Sequence, residues 1–505
     1  MTDIDAVLDD LRERGLQRRL RVVAGPQGAR VLLDGKPVLL LCSNNYLGLA
    51  DHPAVCRAAA EAAMRWGAGA GASRLVSGNM TLHRRLEERL ADFKGSEAAL
   101  LFGSGYLANA GVVAALARPG EVVFSDELNH ASIVDGCRLS RAETFVYRHT
   151  DVEHLGWGLR EAGGRGSLIV TDGVFSMDGD VAPLAELVEL AQRFDCRLCV
   201  DEAHGTGALG PGGRGAVAET GLADEVDLIV GTLGKALGGY GAYVCSSREI
   251  VELLINTARP LIFSTALPPT VAAAALAALE VLQTRPDRVE RLQRNAVVLR
   301  DALSTEGLAV EPGRSPIVPL VVGEARLATA LCDAALKRGV FAQAIRPPSV
   351  PEGSSRLRLC VMASHRASEL RNAARSIAAA AEEVGIETRA APREPLDATR
   401  LPRLDEGLVG WDAPELPDWI GPLRSAEPEP EPARSSLAAA ARGSARARAR
   451  ERFGNWGPAE EISWESARER EDEAAVAAAP VHFPQPDLSD WEEPDWEEPG
   501  FERAA

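Results

Sequence analysis

The strongest constraint on the fold of this 505-residue chain is a regular alternation of short β-branched runs with Ala/Leu-rich stretches of helical period. It extends from residue 45 to about residue 275 and is typical of βαβ units around a mostly parallel sheet. The predicted strands are residues 121–125, 167–172, 197–201, 227–232 and 242–246. Each is followed by polar or glycine residues, so the sequence predicts an α/β fold with its chemistry at the carboxyl ends of the strands.

The length exceeds what one hydrophobic core usually serves, so several units are expected. We predict a large domain over residues 46–284 and a smaller α+β domain over 285–390, against which residues 1–45 pack. The smaller domain is predicted to contain a strand at 317–322, a helix at 326–338 and two strands at 340–345 and 356–361.

Residues 391–505 have a different composition, with 13 Arg, no Lys and 26 Asp and Glu within a total net charge of −18. They also hold 15 of the 31 Pro and six of the eight Trp. Such a segment buries too little apolar surface to offset its ordering entropy, so we predict a disordered tail. Its repeated Trp-Glu-Glu-Pro could bind an unknown partner, but a solvated extension is the simpler interpretation.

Composition also limits the partners and the location of the chain. Binding to nucleic acid needs clustered Lys and Arg, which the acidic balance does not favour. No apolar run approaches the ~20 residues that cross a bilayer, and residues 1–14 lack the apolar stretch of a secretion signal. A cytoplasmic protein that does not enter membranes is therefore expected.

Only four lysines occur in the whole chain, and one of them lacks a structural explanation. Lys36 lies in a turn, and Lys94 and Lys337 close predicted helices, where a cation complements the helix dipole. Lys235 instead follows a predicted buried strand, within the glycine-rich residues 231–239, where the backbone can approach a ligand closely. A partly desolvated amine in such a place is suited to form an imine.

A carboxylate and an imidazole, Asp201 and His204, follow the preceding predicted strand. A carboxylate there can keep a pyridine nitrogen protonated, and the imidazole can reach the phenolic oxygen of the same ring. A metal pair or a helix N-cap is the alternative, but Asp-x-x-His supplies too few ligands for a metal site, and we predict none. With Lys235 after the next strand, we favour a site for pyridoxal 5′-phosphate (PLP).

Two weaker signals agree with a PLP site. Gly105 and Tyr106 stand in a glycine-serine turn before a predicted helix, whose free N–H groups could bind a phosphate with help from the Thr232 hydroxyl. His130 follows another predicted strand, and its ring could stack on a planar cofactor. A single His is more often structural, so only the combination supports this role.

Five motifs, in this order, resemble those of the α-oxoamine synthases, PLP enzymes of fold type I. They are Asn44-Asn45-Tyr46-Leu47-Gly48-Leu49, Asn129-His130-Ala131-Ser132, Phe175-Ser176-Met177-Asp178-Gly179-Asp180, Asp201-Glu202-Ala203-His204-Gly205 and Thr232-Leu233-Gly234-Lys235. The resemblance covers roughly residues 1–385. It implies a homodimer with shared active sites and a decarboxylative condensation of an amino acid with an acyl-CoA.

Within that family, residues 73–79, 264–269 and 345–351 are most similar to members that join L-alanine to a pimeloyl thioester, of CoA or of a carrier protein, in biotin synthesis. The resemblance assigns every site residue that we predict. These are Lys235 as the Schiff-base lysine, Asp201 at the pyridine nitrogen, His130 as the stacking ring, Ser176 and His204 at the cofactor ring, Gly105, Tyr106 and Thr232 at the phosphate, Arg346, Ser349 and Arg18 at the substrate, and Ser264 and Thr265 at the phosphate of the neighbouring subunit. Of these, Lys235, His130, Asp201 and His204 are the predicted catalytic residues. Arg18 is matched only by its spacing to the turn at Pro26.

The chain departs from the family pattern in two places. Glu202 stands where Asp is common, and the tail has no counterpart. Three other functions stay open at this point. They are a sister synthase that joins glycine to a short acyl-CoA, an aminotransferase on the same scaffold, and an interaction protein that acts through its tail.

Overall fold

The computed structural model describes residues 4–18 and 20–388, so the predicted tail lies outside the described residues. The helices are α1 Ile4–Glu13, α2 Pro53–Trp66, α3 Thr81–Lys94, α4 Gly105–Leu116, α5 Ala131–Ser140, α6 Val152–Glu161, α7 Leu184–Arg193, α8 Ala216–Thr220, α9 Arg248–Thr257, α10 Arg259–Ile262, α11 Pro269–Thr284, α12 Asp287–Thr305, α13 Ala325–Lys337 and α14 Ala367–Glu383. The strands are β1 Val23–Ala24, β2 Arg30–Leu33, β3 Lys36–Leu40, β4 Ala98–Phe102, β5 Val122–Asp126, β6 Glu143–Tyr147, β7 Gly166–Asp172, β8 Arg197–Asp201, β9 Leu228–Thr232, β10 Ala242–Ser246, β11 Ile317–Gly323, β12 Val340–Phe341, β13 Gln343–Ile345 and β14 Ser355–Cys360.

A seven-stranded sheet with the order β4-β10-β9-β8-β7-β5-β6 forms the centre of the fold. The five strands from β9 to β6 are parallel, whereas β10 runs antiparallel to both of its neighbours. This confirms the predicted α/β class. Each of the five predicted strands is present to within one residue at either end, and β4 and β6 were not among the predicted strands.

Helices cover both faces of this sheet, which explains why its central strands are apolar throughout rather than alternating. Successive residues of β8 point into different cores: Leu198 and Val200 belong to one hydrophobic cluster, and Cys199 belongs to the other. Burial on both faces fixes the register of the strand, because a one-residue slip would exchange the two sets.

The carboxyl ends of the parallel strands bring polar residues to one edge of the sheet. Strands β5, β7, β8 and β9 end at Asp126, Asp172, Asp201 and Thr232. Register pairs Asp172 directly with Asp201. Two buried carboxylates therefore lie side by side at the edge where an open α/β sheet binds its ligands.

Two smaller sheets contain the remaining strands, in the orders β1-β2-β3-β12 and β11-β14-β13. Strand β12 pairs in parallel with β3, so residues near the N-terminus share a sheet with residues about 300 positions later. The predicted single strand 340–345 is wrong: the chain leaves one sheet after Phe341, and Gln343–Ile345 pairs with β14 in the other. The predicted domain boundaries stay predictions.

Within the described residues, no helix is both long enough and apolar enough to cross a membrane.

Candidate active site

Lys235 lies in the loop after β9, held by glycine-dependent packing. Gly238 has φ +65°, and a Cβ there would come within 2.3 Å of Ala50 N, so only glycine fits this turn. Burial lowers the pKa of Lys235 to about 8. Asp201 and Asp172 act in the opposite direction and raise this pKa, because their negative charges stabilise the ammonium form. An appreciable fraction of the amine is consequently neutral, and nucleophilic, near neutral pH.

Asp201 is buried at the end of β8 and is held by uncharged donors. Its Oδ2 accepts from Asn109 Nδ2 at 2.6 Å, and its Oδ1 accepts from Ala203 N at 2.8 Å. Neither donor carries a charge, so neither of them offsets a negative charge on this carboxylate. That is the property needed to face a protonated ring nitrogen.

His130 is fixed by the same amide that holds Asp201. Asn109 Nδ2 also donates to Ser132 Oγ at 2.9 Å, which leaves the Ser132 hydroxyl to donate to His130 Nδ1 at 2.7 Å. The backbone N–H of Ser132 points to the same nitrogen at 3.2 Å. With Nδ1 an acceptor, the proton of the neutral ring is on Nε2. The residue is exposed, so its ring and this N–H are accessible.

His204 connects Lys235 to the interior. Its Nε2 lies 2.7 Å from Lys235 Nζ, and its Nδ1 lies 2.7 Å from the hydroxyl of Tyr46. Burial lowers the pKa of His204 well below its usual range, and the nearby cations Lys235 and Arg358 lower it further. The ring is therefore a neutral hydrogen-bonding group between an amine and a phenol.

The start of α4 fits a phosphate group. Ser104 caps the helix by accepting from Leu107 N at 3.2 Å, and Gly105 and Tyr106 begin its first turn. A Cβ built on Gly105 would meet no atom of another segment within 4 Å, so the space beside the start of α4 is open at Gly105. The Thr232 hydroxyl accepts from Gly234 N and donates to Gly241 O, both at 3.1 Å, so it is bound within its own loop.

Ser176 lies in a loop that charged groups anchor. His149 bridges Asp126 at 2.9 Å and Asp180 at 2.8 Å. Although burial alone would lower it, these two hydrogen bonds raise the pKa of His149 to about 10, so the ring is a cation at neutral pH. Asp178, in the same loop, pairs with Arg356 of β14. Ser176, for which we predict a contact with the cofactor, therefore lies in a loop that is anchored by these charged contacts.

Arg358 is the main residue that sequence reasoning missed. This guanidinium on β14 is 7% exposed and donates to Ser176 O, Asn44 Oδ1 and Cys360 Sγ, all of them uncharged. It is close enough to Lys235 to lower the pKa of that amine. A buried cation without a carboxylate among these contacts is suited to bind a carboxylate ligand. Two arginines within a predicted strand, Arg356 and Arg358, were the signal available in the sequence.

Two other sequence interpretations change. Lys94 does close α3, but its ammonium is buried and donates to Thr206 Oγ1 at 2.8 Å and Arg214 O at 2.6 Å. It contributes to the core rather than to a surface helix end. Glu202, the departure from the family pattern, accepts from Val217 N at 2.6 Å and so binds the start of α8.

The predicted substrate residues come together in a second place. Arg18, Arg346 and Ser349 line one cleft of about 400 Å³, beside Leu16 and Leu20. The Arg346 guanidinium donates to the backbone oxygens of residues 15 and 17. The cleft includes β13, whose Gln343 pairs with Arg358 of β14, so Arg358 lies on the strand beside the cleft. Thr265, predicted to reach the neighbouring subunit, is exposed, and Ser264 is half-buried.

Comparisons with known proteins identify the family of the chain. The family model for class I and II aminotransferases matches residues 36–377. The 8-amino-7-oxononanoate synthase of Geobacter sulfurreducens is 56% identical over 382 residues, which cover 75% of this chain and 98% of the relative.

Among solved structures, a variant serine palmitoyltransferase from S. paucimobilis with bound PLP and myriocin has a TM-score of 0.73 and 34% identity, over 76% of this chain and 98% of that one. An 8-amino-7-oxononanoate synthase from Francisella tularensis has a TM-score of 0.59 and 29% identity, over 68% of this chain and 98% of that one. The chain therefore belongs to the class I and II aminotransferase family, the PLP-dependent enzymes of fold type I, and stands among its 8-amino-7-oxononanoate synthase relatives.

Proposed function

We propose that this enzyme condenses L-alanine with a pimeloyl thioester, releasing carbon dioxide and the thiol carrier, to form 8-amino-7-oxononanoate for biotin synthesis. The single observation that carries the proposal is 56% identity to such a synthase over nearly the whole of that relative. The site residues support it, because an amine with a lowered pKa lies close to the buried carboxylate of Asp201 and to Arg358, whose hydrogen-bond partners are uncharged. The acyl carrier is CoA or a carrier protein.

PLP, when bound, supplies an aldehyde that combines with amines and a ring that takes up the electron pair of the substrate α-carbon. We assign Lys235 to hold it covalently, Asp201 to face its ring nitrogen and the N–H groups of Gly105 and Tyr106 to bind its phosphate. These assignments rest on the low pKa of the amine, the neutral donors of the carboxylate and the open space before α4.

We assign binding of the amino acid to Arg358 and His130. The Arg358 guanidinium presents charge to the alanine carboxylate, and His130 offers its Nε2–H to the same group when the carboxylate is lost as carbon dioxide. Lys235, as the free amine, removes the α-proton. Its pKa of about 8 suits this base, because the neutral form is present at working pH and still binds the proton firmly.

The acyl donor is assigned to the cleft of Arg18, Arg346 and Ser349. Two guanidinium groups there suit the negative charges of a pimeloyl thioester, and Leu16 and Leu20 suit its methylene chain. Since the cleft is on the strand beside Arg358, both substrates would approach from one side of the site.

Product analysis by mass spectrometry tests this function. Purified protein with PLP, alanine and pimeloyl-CoA is expected to form 8-amino-7-oxononanoate. Parallel reactions replace alanine by glycine or serine, and pimeloyl-CoA by acetyl-, succinyl- or palmitoyl-CoA. Faster turnover of any of these pairs, or transamination without release of CoA, would contradict the proposal.

We further propose a cytoplasmic homodimer. The exposed side chains of Leu75, Val76 and Phe263 would be covered by a second copy, which suits the predicted reach of Ser264 and Thr265 into the neighbouring site. The eight cysteines are unpaired thiols, as is usual in a reducing compartment. Sedimentation at assay concentration tests the dimer, and a monomer with full activity would exclude it.

A further inference from the structure

The Lys235 amine stands at one end of a buried row of hydrogen bonds that continues beyond His204. From His204 Nδ1 the row passes to the Tyr46 hydroxyl at 2.7 Å, and from there to Asn44 Oδ1 at 3.2 Å. Tyr46 is 0% exposed and His204 is 5% exposed. Water is therefore not available to replace these contacts, and each proton in the row must be placed by its neighbours.

The far end of the row fixes the direction of its protons. Arg358 Nη1 donates to Asn44 Oδ1 at 3.3 Å, and a guanidinium can only donate. The Asn44 atom at this position is accordingly the amide oxygen, which can only accept. The single proton of the Tyr46 hydroxyl points to that oxygen as well. This leaves the oxygen of Tyr46 as an acceptor towards His204 Nδ1–H.

The other end of the row follows from the charge of His204. Burial, together with the cations Lys235 and Arg358, keeps this imidazole neutral. A neutral ring has one N–H, and Tyr46 holds it on Nδ1. Nε2 is then a bare acceptor, 2.7 Å from the amine of Lys235.

We propose that Tyr46 is a positioning residue, whose hydroxyl holds His204 in the tautomer that accepts a hydrogen bond from Lys235. Tyr46 acts on Lys235 through His204. The hydrogen bond stabilises the ammonium form of Lys235 and directs its head group. The inference rests on the proposed function only in taking Lys235 as the reacting amine.

The test is the substitution Tyr46→Phe, which removes the hydroxyl and keeps the ring in its buried place. His204 then has no acceptor for Nδ1–H, its Nε2–H tautomer gains population, and the Lys235 ammonium loses its acceptor. The pH at which Lys235 becomes neutral should fall by about one unit. Trace acetylation of the full-length, cofactor-free protein with acetic anhydride measures this midpoint. Mass spectrometry separates the lysine-containing peptides easily, because the chain has four lysines.

Two further variants make the result specific. Tyr243→Phe removes another fully buried hydroxyl, which lies 3.0 Å from Thr206 Oγ1 rather than beside His204, so the midpoint should not move. Asn44→Ala removes the oxygen that orients Tyr46 and lets the phenol donate to His204 Nδ1. It should lower the midpoint in the same direction, and it provides the test if Tyr46→Phe does not fold.

A lower midpoint in Tyr46→Phe and Asn44→Ala, with none in Tyr243→Phe, supports the inference. An unchanged or higher midpoint in Tyr46→Phe, or an equal shift in Tyr243→Phe, overturns it. No substrate enters this measurement. If the midpoint shifts but the protein forms no amino ketone, only the proposed function is contradicted. If the protein forms the product but the midpoint does not shift, only the proposed role of Tyr46 is contradicted.

Discussion

The two groups of site residues differ in how they are held. Lys235, Asp201 and His204 stand at the edge of the seven-stranded sheet, largely buried, and each has partners in the interior. Arg18 and Ser349 line the cleft on β13 with exposed side chains. Buried polar groups must be satisfied by fixed partners, whereas exposed ones can exchange with water. The side chains at the sheet edge are therefore held in one arrangement, which suits a chemical step. The exposed side chains of the cleft can adopt several arrangements, which suits binding.

Lys235→Ala is the change expected to have the largest effect. It removes the amine that we propose as both the covalent anchor and the base, so turnover of alanine and pimeloyl-CoA should fall by at least about 100- to 10,000-fold. Borohydride reduction in the presence of PLP should add no mass to the corresponding peptide. Lys337→Ala, which alters an exposed lysine of α13, is the matched control. Retained turnover in Lys235→Ala would exclude the assigned role.

Asp201→Asn should have the next largest effect. It keeps the size of the side chain but removes the charge that we propose to face the ring nitrogen, so kcat should fall by about 10- to 100-fold. The absorbance spectrum of bound PLP should change as well. Asp224→Asn, at an exposed carboxylate, should leave both unchanged. If Asp201→Asn retained full kcat, a buried charge at this edge would not be required.

Arg346→Ala tests the cleft. Its guanidinium is partly solvated, so we expect a rise in KM for pimeloyl-CoA of about three- to tenfold, with a smaller change in kcat. Arg314→Ala, at an exposed arginine paired with Glu219, should change neither constant. A loss confined to kcat would mean that the cleft also takes part in the chemistry.

The smallest effect is expected for Arg346→Ala on the pH dependence of Lys235, because the substitution is in the cleft and the amine is at the sheet edge. Loading of the chain with PLP needs the neutral amine, so its rate should rise with pH up to about 8, the lowered pKa of Lys235, rather than up to the usual value for lysine. Arg346→Ala should leave that midpoint unchanged. Stopped-flow absorbance across pH measures it, and a displaced midpoint would show that the two groups are coupled.

The features of the fold and the site that depend on local sequence patterns could be predicted from the sequence. Strand β8 begins and ends where predicted, and the structure brings Lys235, Asp201 and His204 together as the motif order suggested. Hydrogen-bond partners that depend on tertiary packing could not be predicted in this way. Tyr46 meets His204 across 158 positions, and Asn109 reaches Asp201 across 92. Whether Arg358 is buried depends on the neighbouring strands and is not encoded in the strand pattern itself.

The parallel pairing of β3 with β12 has a consequence for synthesis on the ribosome. Leu39 finds its partner Val340 only after about 300 further residues have been added, which takes roughly 15 to 60 s at ordinary translation rates. Until then the early hairpin of β2 and β3 exposes an unpaired strand edge. This edge is where a nascent chain could pair wrongly, and it stays open until well after Lys235 has been added to the chain.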